Sequence, residues 1–444
     1  MRSLGVFLDG RPVGTLSEGD DLWRFEYHAD WIAARDGFDL SPALPRAQPM
    51  HEDGGSHRPV QWYFDNLLPE EQLREALSRE AGLAGDDAFA LLEVLGAESA
   101  GSLVLLPPGR PEQPAGGLRA LPDEALCARI RALPRVTLAS GAPKRMSAAG
   151  AQHKLLVVVR DGLLYEPVGS EASTHLLKPN HPGDDYPASV INEYLAMSLA
   201  QRVGLRVPAV QRRYTPEPVY VVERFDREVD AAGRTRRRHV IDACQLLDKS
   251  RLFKYSSATL DTLAAIVERC RNRAGARLRL YAWLVFNLLI GNHDNHLKNL
   301  SFRVDAEGIE LAPAYDLLST AVYDTRAFAH ARAAWPAVAM AIALPRAATF
   351  GEVTREAILQ AGLALGLPRR VGERELDRLA LALPAALDAL IRAIEAENAA
   401  APDSVRPYLA GEMRLLRSVQ SIVVPQMLAR VRLSSPPSGP TAAQ

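Results

Sequence analysis

Two short apolar runs flank Asp9-Gly10 in Val6-Phe-Leu-Asp-Gly-Arg-Pro-Val-Gly-Thr-Leu16, which predicts a β-hairpin. Residues 21–32 mix polar and aromatic side chains and predict a further strand. Asn66-Leu-Leu-Pro-Glu-Glu-Gln-Leu-Arg-Glu-Ala-Leu predicts a helix with Pro69 near its first turn, and a second helix is predicted over 86–95. The Pro- and Gly-rich stretch 107–117 reads as a linker. Beyond it, strands are predicted over 154–160, 175–179, 207–214 and 219–223, with a helix over 188–203. The basic run 234–239 predicts a hairpin tip in water. From 258 onward helical periodicity takes over, at 260–270, 276–290, 350–365, 373–395 and 405–432. The Ser-, Pro- and Ala-rich end predicts a frayed tail.

This pattern divides the chain into a small α+β module (1–107), a linker (108–118), a strand-rich lobe (119–227), a helical lobe (228–432) and a tail (433–444). Charge adds an exclusion. The chain carries 52 basic and 53 acidic side chains, so it lacks the global positive field of a dedicated nucleic-acid binder. Three separated cysteines give neither a disulfide framework nor a zinc pattern. The N-terminus puts Asp9 and Gly10 where a signal peptide needs an apolar core, and the apolar stretches 280–290 and 333–344 are too short to span a bilayer. A soluble cytoplasmic protein is expected. Only six cations are lysine (Lys144, Lys154, Lys178, Lys249, Lys254, Lys298), and all lie in the middle of the chain. Each marks a place where a compact ammonium is required, or chance in a small sample.

The chemistry concentrates in Gly291-Asn-His-Asp294-Asn-His296-Leu-Lys298-Asn299, a polar loop between an apolar helix and a short strand, followed by Tyr315-Asp316. Asp-x4-Asn with a later Asp is the spacing of a protein-kinase-like centre. Asp294 would orient and deprotonate the attacking hydroxyl, and Asn299 and Asp316 would hold Mg²⁺ through hard oxygens. Lys298 would neutralise the transferring phosphoryl. A capping-rich loop and a zinc site using His293, Asp294 and His296 are the competing readings. Lys178, at a strand end, has Glu193 fifteen residues on, where an ion pair or mere surface decoration is possible. The small-residue loop from Ser147 to Lys154 could admit phosphates to backbone amides. Glu223, Arg224 and Phe225 have the character of an interlobe hinge.

These segments, with Cys244-Gln245, Lys254-Tyr255 and Asp65-Asn-Leu-Leu-Pro-Glu, occur in the order seen in the HipA-type serine/threonine-protein kinase toxins, which the chain resembles nearly throughout, up to about residue 430. The resemblance implies a two-lobed, kinase-like α+β fold behind an N-terminal α+β subdomain. It implies an ATP phosphate loop of Ala149, Gly150, Ala151, Gln152, His153 and Lys154, with Lys178 on phosphate oxygens. The adenine hinge would be Glu223, Arg224 and Phe225. Asp294 would accept the proton, His296, Leu297, Lys298 and Asn299 would contact nucleotide and metal, and Tyr315-Asp316 would complete the magnesium site. Ser147 stands where the family autophosphorylates. The family also implies an aminoacyl-tRNA synthetase as substrate and a helix-turn-helix antitoxin of the HipB type as partner, with DNA reached only through it. His293 departs from the small or hydroxyl residue usual there. An aminoglycoside-type phosphotransferase and a non-catalytic corepressor are the alternatives.

Overall fold

The computed structural model describes residues 1–109, 116–144 and 149–432. Ser147, the middle of the linker and the tail therefore lie outside the described residues.

The chain opens with an antiparallel sheet of β1 (Arg2–Leu8), β2 (Arg11–Gly19), β3 (Leu22–Tyr27), β4 (Met50–Glu52) and β5 (Val104–Leu106), in the order β4-β3-β2-β1-β5. Asp9 and Gly10 both take positive φ, the backbone that closes a tight hairpin, as predicted. The expected strand over 21–32 is half right. It stops at Tyr27, and His28, accepting from the Asp30 N–H, starts the short helix α1 (Ala29–Ala33). Helices α2 (Pro59–Asp65), α3 (Glu71–Ala81) and α4 (Ala88–Leu95) follow. The helix expected to begin at Asn66 begins five residues later. A proline disfavours the α conformation in the residue before it, and Pro69-Glu70 instead runs beside Gly150 as a parallel bridge.

The second lobe holds a six-stranded antiparallel sheet, β10-β11-β9-β7-β8-β6. Its elements are β6 (Gly117–Ala120), α5 (Asp123–Ala132), β7 (Leu155–Arg160), β8 (Leu163–Val168), β9 (His175–Pro179), α6 (Ser189–Arg202), β10 (Val210–Tyr214) and β11 (Pro218–Glu223). A small apolar core of Leu126, Leu138, Leu155, Leu177, Val219 and Val221 lies against this sheet. Next come the hairpin of β12 (Arg227–Val229) and β13 (Thr235–Arg237), then β14 (Val240–Asp242) and α7 (Ala243–Leu246). The expectation that 234–239 sits wholly in water fails: Arg237 is anchored on buried Glu98, and His239 is itself buried.

The helical lobe contains α8 (Leu260–Arg269), α9 (Arg273–Leu289), β15 (Ser301–Asp305), β16 (Gly308–Leu311), β17 (Ala339–Leu344), β18 (Ala347–Thr349), α10 (Arg355–Ala364), α11 (Arg369–Ala399), α12 (Arg406–Ser418) and α13 (Val424–Val431). The single helix expected over 405–432 is interrupted by a π-helical turn at Val419–Val423. One large core runs unbroken from the first sheet (Leu4, Phe25) through Cys244 to Leu284, Leu379 and Met427. The N-terminal module is thus packed into the helical lobe rather than tethered to it. Among the described residues no helix is long and apolar enough to cross a membrane.

Candidate active site

Three elements deliver the charged centre. The end of β9 brings Lys178, the first turns of α6 bring Glu193, and the segment after β16 brings Asp316. The Lys178 ammonium donates to Glu193 Oε1 at 2.8 Å and to Asp316 Oδ1 at 2.6 Å. Burial pushes the Asp316 carboxyl up, but Lys178 outweighs it and holds the group at about 2. Glu193, deeper and beside a second carboxylate, is pushed up by burial to about 7 despite Lys178. Asp316 sits in the left-handed region at φ 57°, which costs a side-chain-bearing residue of order 1 kcal/mol. Tyr315 fixes it from one side: its hydroxyl donates to Lys298 O at 2.6 Å.

The loop after α9 is shaped by its own amides. Gly291 turns the chain at φ 67°, where a Cβ would meet Val423 at 2.6 Å. Asn292 donates to Asn287 Oδ1 at 2.7 Å and accepts the Asp294 N–H at 3.0 Å, while the His293 N–H donates to Thr320 Oγ1 at 2.7 Å. Asn299 Nδ2 donates to Asp294 O at 2.7 Å, closing the loop on itself. Sequence reading did not single out Asn287 or Thr320. The Asn287–Asn292 spacing across a helix end is the signal that could have found the first. His293, the departure from the family pattern, lies 3.5 Å from Asp324. The zinc reading gains nothing, since among the described residues no group of three or more His, Cys, Asp and Glu could hold a metal ion.

Magnesium asks for hard oxygens and keeps several waters, so a few protein donors beside the phosphates suffice. Asn299 Oδ1 and Asp316 Oδ2 accept no hydrogen bond among the described residues and are free for that role. The phosphate loop also has a suitable form. Gly150 takes φ 102°, a backbone conformation that favours glycine, with the Lys154 ammonium 2.8 Å from where a Cβ would stand. Lys154 donates to Ala149 O, and burial together with the Lys178 charge lowers its ammonium to about 8. Gln152 donates to Pro179 O at 3.3 Å, Ala151 is exposed, and burial lowers His153. His296 is buried with Nδ1 unpartnered among the described residues.

Several of the expected contact residues turn their side chains inward. The Leu297 side chain is in the core, 0% exposed. The Lys298 ammonium donates to Asp242 Oδ2 at 2.5 Å and Asn66 Oδ1 at 2.8 Å, inside the protein, because the N-terminal module supplies acceptors there that no local sequence pattern reveals. The Arg224 guanidinium is likewise buried, on Asp226 and Ser173, which leaves only its backbone for the expected hinge. Of the expected hinge, the Glu223 side chain is exposed, and the Phe225 ring lies tilted against Tyr315 with centroids 5.4 Å apart.

Comparison with known proteins places this geometry in a family. Residues 4–106 match the HipA N-terminal domain, and residues 146–387 match the HipA-like C-terminal domain. The chain is 40% identical over 338 residues to Y4mE of Sinorhizobium fredii, named as a candidate kinase (73% of this chain, 78% of that one). It is 31% identical over 343 residues to the serine/threonine-protein kinase toxin HipA of Shewanella oneidensis (72% and 76%). The Shewanella oneidensis HipA solved with HipB and operator DNA superposes with a TM-score of 0.75 at 27% identity, covering 97% of this chain and 99% of that one. With both domain models matched in order and a fold that follows a solved member from end to end, the chain belongs to the HipA family, a two-lobed kinase-like α+β fold behind an N-terminal α+β subdomain.

Proposed function

We propose that the chain is an ATP- and Mg²⁺-dependent serine/threonine-protein kinase and the toxin half of a toxin–antitoxin pair. The observation that carries the reading is the convergence of Lys178, Glu193 and Asp316 within direct hydrogen-bond distance. Asp294 accepts the proton of the attacking hydroxyl. Asn299 and Asp316 offer oxygens to Mg²⁺, which, when bound, neutralises charge on the β- and γ-phosphoryl oxygens. Lys178 adds a point charge on phosphate, and the amides of residues 149–154 cradle it. The protein's contribution is positioning and charge placement. The substrate is an aminoacyl-tRNA synthetase and the partner a HipB-type antitoxin; the Shewanella relative solved with HipB and operator DNA supports the partner. Phosphate on Ser147 would add nearly two negative charges beside the triphosphate and expel the loop, switching the enzyme off.

The test incubates the full chain with Mg²⁺, γ-labelled ATP and clarified lysate. A single labelled protein band and ADP formation are expected, with Asp294→Asn and Asp316→Asn each cutting ADP formation by several orders of magnitude. A labelled small metabolite in place of a protein band, or near-wild-type turnover in either variant, overturns the reading.

A further inference from the structure

The turn between α2 and α3 touches both the strand-rich and the helical lobe. The Glu70 N–H donates to Gly150 O at 3.3 Å in the phosphate loop. Its carboxylate, 2% exposed, reaches the helical lobe: Oε2 accepts from Lys254 at 2.6 Å, and Oε1 stands 3.4 Å from the Lys298 ammonium. Lys254 is followed directly by Tyr255, whose hydroxyl donates to Asp294 Oδ1 at 2.5 Å. The Tyr255 ring meets the His296 ring edge-on at 4.8 Å, and the Leu297 N–H donates to Lys254 O at 3.2 Å. The pair 254–255 is thus bolted to the catalytic loop at three points, and buried Glu70, with exposed Glu71 also 2.9 Å from the Lys254 ammonium, bolts it to the N-terminal module.

We propose that Glu70 is a positioning residue for the candidate base Asp294, acting through Lys254 and Tyr255, so that the N-terminal module takes part in phosphoryl transfer. This rests on the reading of Asp294 given above. Tyr255 is 45% exposed. Its ring is held by the edge-on contact with His296 and by the Lys254 ammonium 5.2 Å from its centroid, so freeing that ammonium from Glu70 loosens the phenol on the carboxylate. A misplaced base costs turnover more than nucleotide binding.

The test is a double-mutant cycle on the full chain, reading kcat and KM for Mg-ATP by ADP formation. Glu70→Gln keeps the shape and removes the charge, and Tyr255→Phe removes the hydroxyl alone. Each is expected to lower kcat roughly tenfold to a hundredfold with KM for ATP within about twofold, and the double variant to be no slower than the slower single one. Multiplicative losses in the double variant, wild-type kcat in Glu70→Gln, or a loss carried by KM overturns the proposal. Should Glu70→Gln unfold at the assay temperature, Lys254→Met with Tyr255→Phe closes the cycle from the other end, judged by the same outcomes. Wild-type turnover in Asp294→Asn would instead sink the reading of the base, whichever way the cycle falls.

Discussion

Lys178 and Asp316, 138 residues apart in the chain, meet at 2.6 Å, and the same ammonium holds Glu193. One cation therefore serves two carboxylates of different depth. It keeps Asp316 ionised and compensates a glutamate that burial pushes towards neutrality.

Lys178→Met should remove both effects. Two carboxylates then face each other without a hydrogen-bonded counter-charge, Lys154 acting only from farther off, and breaking a buried pair by deleting one partner costs about 3–5 kcal/mol. Lys178→Met with Glu193→Gln should recover most of that loss in urea unfolding while ADP formation stays at background. Recovery of turnover together with stability would mean that the lysine is structural only.

Lys298 leads to the opposite expectation. Its ammonium is saturated by Asp242, Asn66 Oδ1 and Asn66 O at 2.5, 2.8 and 3.1 Å, linking the N-terminal module to the loop that bears Asn299. Lys298→Met should cost about 3–5 kcal/mol in unfolding free energy by stranding Asp242. Adding Asp242→Asn should return much of it. In the folded fraction KM for ATP should stay within about twofold, because the ammonium is committed to Asn66 and Asp242 inside the protein. A tenfold rise in KM without loss of stability would restore the phosphoryl-neutralising role.

The contrast between these two lysines shows what the sequence could and could not convey. Scarcity of lysine pointed to sites needing an ammonium, and Lys144, Lys178, Lys254 and Lys298 are indeed buried on carboxylates. For Lys178 the sequence offered Glu193 as one possibility, but the carboxylates met by Lys144, Lys254 and Lys298 were not legible, because Glu70, Glu98 and Asp242 come from other elements and depend on tertiary packing. Local pattern served well where the cause is local: the Asp9-Gly10 hairpin, β9, and the 3.6-residue period of α9. It failed where a distant segment sets the outcome, as at Pro69-Glu70, drawn out of helix beside Gly150. It failed again at Leu163–Val168, a strand whose alternation is broken by Glu166, buried on Arg119 and Arg129.

His239 provides a pH-dependent test of the packing between module and lobe. It leaves β13 for β14 and enters the N-terminal module, where Nε2 donates to Leu40 O at 2.8 Å, Ser102 Oγ lies 2.8 Å from Nδ1, and Phe38 stacks on the ring at 4.9 Å. Burial lowers its imidazolium to about 4, against 6.5 unperturbed. The folded state therefore holds the ring neutral while the unfolded chain takes up a proton as pH falls below 6.5. Stability from this group is complete above that value and is lost as pH drops towards 4, a change of about 3 kcal/mol by linkage. Asp53, which accepts the Val60 and Gln61 amides, works the other way over part of the window, since burial raises it to about 6. The wild-type curve alone would blend the two. His239→Gln removes the imidazole and leaves Asp53 in place. Urea unfolding from pH 7.5 to 4 should then show the variant less stable at pH 7.5, with the gap to wild type closing by about 3 kcal/mol as pH falls. Parallel curves at every pH would mean that His239 titrates in the folded protein as it does in water, and that the contact between module and lobe tolerates its charge.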